Sequence, residues 1–169
     1  MKTLFDPGAH EEIARRVESL QPGAQRRWGK MTVAQALEHT ARALEMATGK
    51  RQWQQAFLGK MIGWIFRKDF VGERQFGRNA PTSPDFVVLG SEPDFHRTKD
   101  RVKTLLGEFH ELGERGCDGN VHSFFGRMTG AEWGVTQYST WIITSANSER
   151  SLQLHARKSR SPQRRFVPP

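Results

Sequence analysis

The chain predicts an all-α domain. Apolar residues recur at helical spacing in several separate stretches, capping residues stand at the head of these stretches, and the connecting segments gather glycine and proline. Asp6-Pro7 opens the first helix, an N-cap acid followed by proline at the first helical position. That helix runs to about Leu20, with Ile13, Val17 and Leu20 on one side, and stops at Pro22-Gly23. Trp28-Gly-Lys-Met31 is a short approach to a second helix, capped by Thr32 and closed by Gly49. A third apolar segment, Trp53 to Phe66, carries Gly59 and Gly63, which lower its helical propensity. A long loop follows from about Arg67 to Gly90 and holds Gly72, Gly77, Pro81 and Pro84; loops of this length usually serve or cover a site. Ser91-Glu-Pro-Asp94 starts the clearest helix, where Phe95, Val102, Leu105, Leu106, Phe109 and Leu112 keep helical spacing to Gly113. A second loop through His122-Ser-Phe-Phe-Gly126 leads to Thr129-Gly-Ala-Glu132, which has capping-box spacing, with Trp133 and Tyr138 as anchors of the last helix. There is no internal repeat and no strand pair with a convincing hairpin turn. The expectation is a bundle of four main helices plus the shorter Trp53–Phe66 element.

Composition sets the outer bounds. A length of 169 residues suits one domain with a real core. The formal charge of +8 is uneven, since residues 139–169 carry net +5 and residues 1–138 only net +3. The high isoelectric point is therefore largely a property of the tail. Cys117 is the single cysteine, which excludes a disulfide framework and a cysteine-based metal cluster, and nothing local marks a base that would activate it. The first residues lack the apolar stretch of a signal peptide, and the most apolar run, Phe57 to Phe66, contains Lys60 and is too short to span a bilayer. These features predict a cytoplasmic protein without a membrane partner.

On a helical wheel Val33, Leu37, Thr40, Ala41, Leu44 and Ala47 form the buried stripe of the second helix, and Gln35, Glu38, Arg42 and Glu45 its wet face. His39 lies beside Ala36, Ala43 and Met46, at the edge of the apolar arc. A neutral imidazole there either binds a metal or satisfies itself by hydrogen bonding, and taken alone the second reading is the stronger. His10 stands in a polar first turn and His155 in the tail, and His96 and His110 border the apolar stripe of the fourth segment, where surface roles suit them better than ligation. His122 precedes Phe124-Phe125-Gly126, an aromatic loop expected to fold over the mouth of the bundle, where structural anchoring is the first reading.

Taken in order, Arg27-Trp-Gly-Lys-Met-Thr32, Leu37-Glu-His-Thr40, Arg78-Asn-Ala-Pro-Thr82, His122-Ser-Phe-Phe-Gly126 and Glu132-Trp-Gly134 resemble an uncharacterised bacterial family of the DinB/YfiT-like superfamily. The resemblance covers about residues 2–138. It implies a DinB-like four-helix bundle with a three-histidine site for zinc or nickel, one ligand from the second helix and a His-x-x-x-His pair from the last. Characterised members include metal-dependent thiol transferases, so it further implies a hydrolase or thiol transferase acting on a small-molecule substrate such as a low-molecular-weight thiol. His39 matches the ligand of the second helix. The final pair is missing, because the two ligand slots fall on Thr140 and Thr144, and His122 and Tyr138 remain as pocket residues, Tyr138 either as proton donor or, preferably, as packing.

A single-base deletion accounts for the departure. Members of the family typically continue the Glu-Trp-Gly…Tyr segment as Lys-His-Leu-Asp-His-His-Leu-Arg-Gln-Phe-Gly. Removing one A from the lysine codon of such a segment, with suitable codons, yields Ser-Thr-Trp-Ile-Ile-Thr-Ser-Ala-Asn-Ser-Glu, the residues that follow Tyr138 here. Residues 139–169 then read as out-of-frame translation, the alternative being a divergent C-terminus. The expected organisation is a helical domain over 1–148, its last helix frayed before about Ser148, and a disordered basic tail over 149–169. With His39 alone of three ligands, no metal is expected to stay bound. Competing readings are a helical bundle without chemistry, and a non-specific binder of nucleic acid or acidic surfaces through the tail, which has no recognition motif for a specific nucleic acid. Trp53, Trp64 and Phe66 suit either a homodimer face or a core or pocket-lid role, the latter at least as well.

Overall fold

The computed structural model describes residues 2–24, 31–52, 54–71 and 92–146. Helix starts follow local chemistry. The hydroxyl of Thr32 accepts the Gln35 N–H at 3.2 Å while the Thr32 N–H donates to Gln35 Oε1 at 3.0 Å, a complete capping box that opens α2 (Val33–Ala47). Asp94 accepts the Arg97 N–H at 2.7 Å and opens α4 (Phe95–Cys117). Thr129 and Glu132 exchange bonds of the same kind at the head of α5 (Gly130–Ala146). In α1 (Pro7–Ser19) the start rests on proline alone, because the Asp6 carboxylate turns back to accept the Thr3 N–H. The third helix, α3, spans Phe57–Val71, so it begins after the apolar stretch starts and runs past Phe66 into the expected loop.

The second helix is central, with Leu37, Thr40, Ala41, Leu44 and Ala47 fully buried and Ala43 and Met46 nearly so. Its expected wet face is not wet. Glu38, Arg42 and Glu45 are half-buried, because Arg101 of α4 reaches across to both glutamates while Arg42 bonds Glu38 at 2.9 Å. A charged row thus becomes the seam of the α2–α4 interface, its groups neutralised by one another. The expected end of α4 at Gly113 is a break instead: Gly113 has φ 62° and ψ −174°, and one further turn carries Cys117 into the core.

Between α4 and α5 stands a feature that the reading without strand pairs did not foresee. Strands β1 (Val121–His122) and β2 (Gly126–Arg127) pair antiparallel, with Val121 opposite Arg127 and His122 opposite Gly126. Two residues per strand are too few to display an alternating pattern. The hairpin is latched to the helices by Asn120, whose side-chain amide donates to the Ala47 carbonyl at 2.8 Å, and the Gln137 amide donates to Ala43 at 3.0 Å. On α5, Trp133 Nε1 donates to the carbonyl of Asn120, the residue that bonds Ala47, and Gln137 one turn further on bonds Ala43, so contacts advance along α5 as they retreat along α2 and these helices run antiparallel. The first helix closes the fold against α4 and α5, with the Leu4 N–H on the Gly134 carbonyl at 3.0 Å and Phe5 stacked on Phe109 at 4.5 Å.

The described residues are therefore mostly helical, five helices around one small ladder. Trp133 and Trp141 of α5 are both fully buried, so α5 contributes to the core beyond Tyr138 and continues to Ala146. None of the described helices is long and apolar enough to cross a membrane. The long loop over 72–91, the approach at Trp28, the side chains of Trp53, Trp64 and Phe66, and the tail over 149–169 lie outside the described residues, and with them the expectations placed there.

Candidate functional site around His39 and His122

His39 comes from the α2 face that carries Ala43 and Met46, and β1 packs against the same helix. The hairpin is wedged in place by backbone. The Ala56 N–H donates to the Ser123 carbonyl at 2.8 Å, the Gln55 side chain to the Phe124 carbonyl at 3.0 Å, and Gly59 and Gly63 of α3 lie so close to that carbonyl that a Cβ at either would collide with it. His122 packs between Phe125, 4.7 Å away, and Trp133, 5.5 Å away, and stands near enough to His39 for their charges to interact.

The hydrogen bonds of His122 define its chemistry. Its Nδ1 accepts two backbone N–H groups, from Phe124 at 3.0 Å and Phe125 at 3.2 Å. A neutral imidazole carries one proton, so an accepting Nδ1 puts that proton on Nε2. Burial pushes His122 down to about 3, and the neighbouring His39 adds to the shift. It is neutral at physiological pH, with its one lone pair committed to the hairpin. His122 thus anchors the turn and presents an N–H from its far side.

Thr140 and Thr144 are half-buried on α5, one and two turns beyond Gln137. With Gln137 level with Ala43 and the helices antiparallel, Thr140 comes level with His39 and Thr40, and Thr144 one turn further on. Tyr138 points elsewhere. Its hydroxyl donates to Glu12 at 3.3 Å and the Lys2 ammonium lies 5.7 Å from its ring, so it belongs to the α1 side and not to the imidazoles. The rest of the interior polar lining is neutral: Ser123 Oγ, Thr136 Oγ1 and Gln137 Oε1 are buried without partners among the described residues.

The metal that the resemblance implies needs three deprotonated donors converging on one point. His39 offers an imidazole, the lone pair of His122 is spent on backbone, and threonine hydroxyls are no substitute. These residues do not fit a three-histidine centre. Among the described residues, no group of three or more His, Cys, Asp or Glu side chains is placed to hold a metal ion. Cys117 offers no nucleophile, since burial pushes its thiol up to about 11. His96 is exposed and meets Phe95 edge-on, and His10 and His110 meet each other at the α1–α4 contact. His155 lies outside the described residues. Sequence reasoning gave structural anchoring as the first reading of His122 but not its backbone partners, and it missed the pairing of His10 with His110. The first had a faint signal in the Phe-Phe-Gly that follows His122; the second had none, because it joins distant segments. No family model, no curated protein and no solved structure matches the chain.

Proposed function

We propose that this chain is a copy of a DinB-like metal-dependent enzyme, a hydrolase or thiol transferase, whose helical scaffold is built but whose metal site is incomplete. What supports the reading is a single juxtaposition: His39 is half-buried near His122 on the helix that β1 packs against, while the α5 positions that come level with it and follow it are Thr140 and Thr144. In the complete enzyme, the metal would lower the pKa of a bound water or thiol. In this chain His122 holds the hairpin, and no acid–base step is assigned to it.

The test is metal content. The full chain, purified and dialysed against zinc and then nickel, is expected to retain far less than one equivalent, whereas the double variant Thr140→His/Thr144→His retains about one, as a His₃ site does. Stoichiometric metal in the unaltered chain overturns the reading. So does a folded double variant, confirmed by circular dichroism, that holds none.

A further inference from the structure

His10 of α1 and His110 of α4 stack face to face, ring centroids 4.4 Å apart and planes inclined by 23°. Each ring has a buried nitrogen without a hydrogen-bonding partner among the described residues, Nε2 of His10 and Nδ1 of His110. The Leu106 backbone lies close enough to favour the charged form of His10, yet the buried Nε2 has no partner among the described residues. Stacked rings direct their lone pairs side by side, not toward a common point, so the pair is unsuited to chelating a metal or sharing a proton. A second proton on His10 would place an N–H at Nε2 with no acceptor, and a charge against the facing ring.

We propose that the His10–His110 stack is a proton-sensitive clasp, holding α1 on α4 at neutral pH and releasing it in acid. The surrounding charges do not offset this. On α1 the Asp6 carboxylate is turned to the Thr3 N–H and Glu11 pairs with Arg15; on α4 Glu111 and Glu114 are exposed; on α5 Glu132 is held by Arg67. Among the described residues His110 is the ionisable group whose charge acts on His10. Burial first and the charge of His110 second hold His10 below the usual histidine range, the Leu106 carbonyl opposing them. A histidine depressed in the folded state stabilises the fold above its unfolded value near 6.5, and that contribution is lost as pH falls from there through the lower folded value. The inference is independent of the metal reading, since neither ring belongs to the site around His39 and His122.

Amide hydrogen exchange on the full chain, at pH 7.5 and pH 5 and corrected for intrinsic rates, tests it. The buried-side amides Ile13 and Val17 of α1 are expected to lose protection severalfold relative to Leu37 and Leu44 of α2. In His110→Phe, which keeps an aromatic ring in the stack and removes a charge, the relative loss shrinks severalfold, and in His10→Phe it disappears. The other histidines are common to parent and variants and cancel. Unchanged relative protection of α1 between the two pH values overturns the proposal, as does an acid-induced loss that persists in both variants.

Discussion

Which nitrogen of an imidazole carries the proton decides what the side chain can do, and in His122 two backbone N–H groups make that decision. Nitrogen-15 spectra of labelled protein are expected to show the Nε2–H tautomer at pH 7. Replacing the ring by an isosteric hydrocarbon in His122→Phe leaves the Phe124 and Phe125 N–H groups without their acceptor. A loss of about 1–3 kcal/mol in urea denaturation is expected, the cost of stranding buried donors. Cys117 is read at the same scale: with its thiol pushed up to about 11 and its side chain fully buried, labelling by a thiol reagent at pH 7.5 is expected only on unfolding. Folded-state labelling at the rate of a free thiol would contradict the burial. The position of His39 on the α2 wheel was legible in its neighbours Ala36, Ala43 and Met46. The state of His122 was not, because it depends on the backbone path of the next three residues.

At the scale of elements, what could be read in advance was whatever is written within one turn. The caps at Thr32, Asp94 and Thr129 each bond a residue three places on, so local order was enough to reveal them. The Arg101 seam was hidden because Glu38 and Glu45 look solvent-facing until a second helix arrives. The hairpin was hidden because its two strands are too short for a pattern. Gly59 and Gly63 show the same limit from the other side. As helix formers they are poor, which made the third segment look insecure, yet they are where α3 accepts the Phe124 carbonyl at close range. Gly59→Ala and Gly63→Ala raise helix propensity and nevertheless should each destabilise the protein by about 1–3 kcal/mol, since the added methyl overpacks against backbone that has no rotamer to yield. Equal or greater stability of either variant in urea denaturation would show that α3 does not seat on the hairpin this way.

For the whole molecule the decisive region is α5 beyond Tyr138. Resequencing codons 136–150 from the source genome separates the origins of residues 139–169: one additional base that restores histidine at 140 and 144 marks a misread, and an unaltered read assigns the change to a mutation in the gene or to a divergent C-terminus. Either way this stretch contributes to the core, because Trp141 is fully buried and Ile142 packs against it. The Leu4–Gly134 and Glu12–Tyr138 bonds also tie the chain's first helix to its last. During synthesis, at roughly 5–20 residues per second, α1 therefore emerges on the order of ten seconds before the segment that will cover it. Until α5 leaves the ribosome, α1 lacks one of the two helices it packs against most, and for most of that interval it lacks α4 as well. The cover of α1 is thus made long after α1 itself, so changes after Tyr138 should lower the yield of folded chains in the cell.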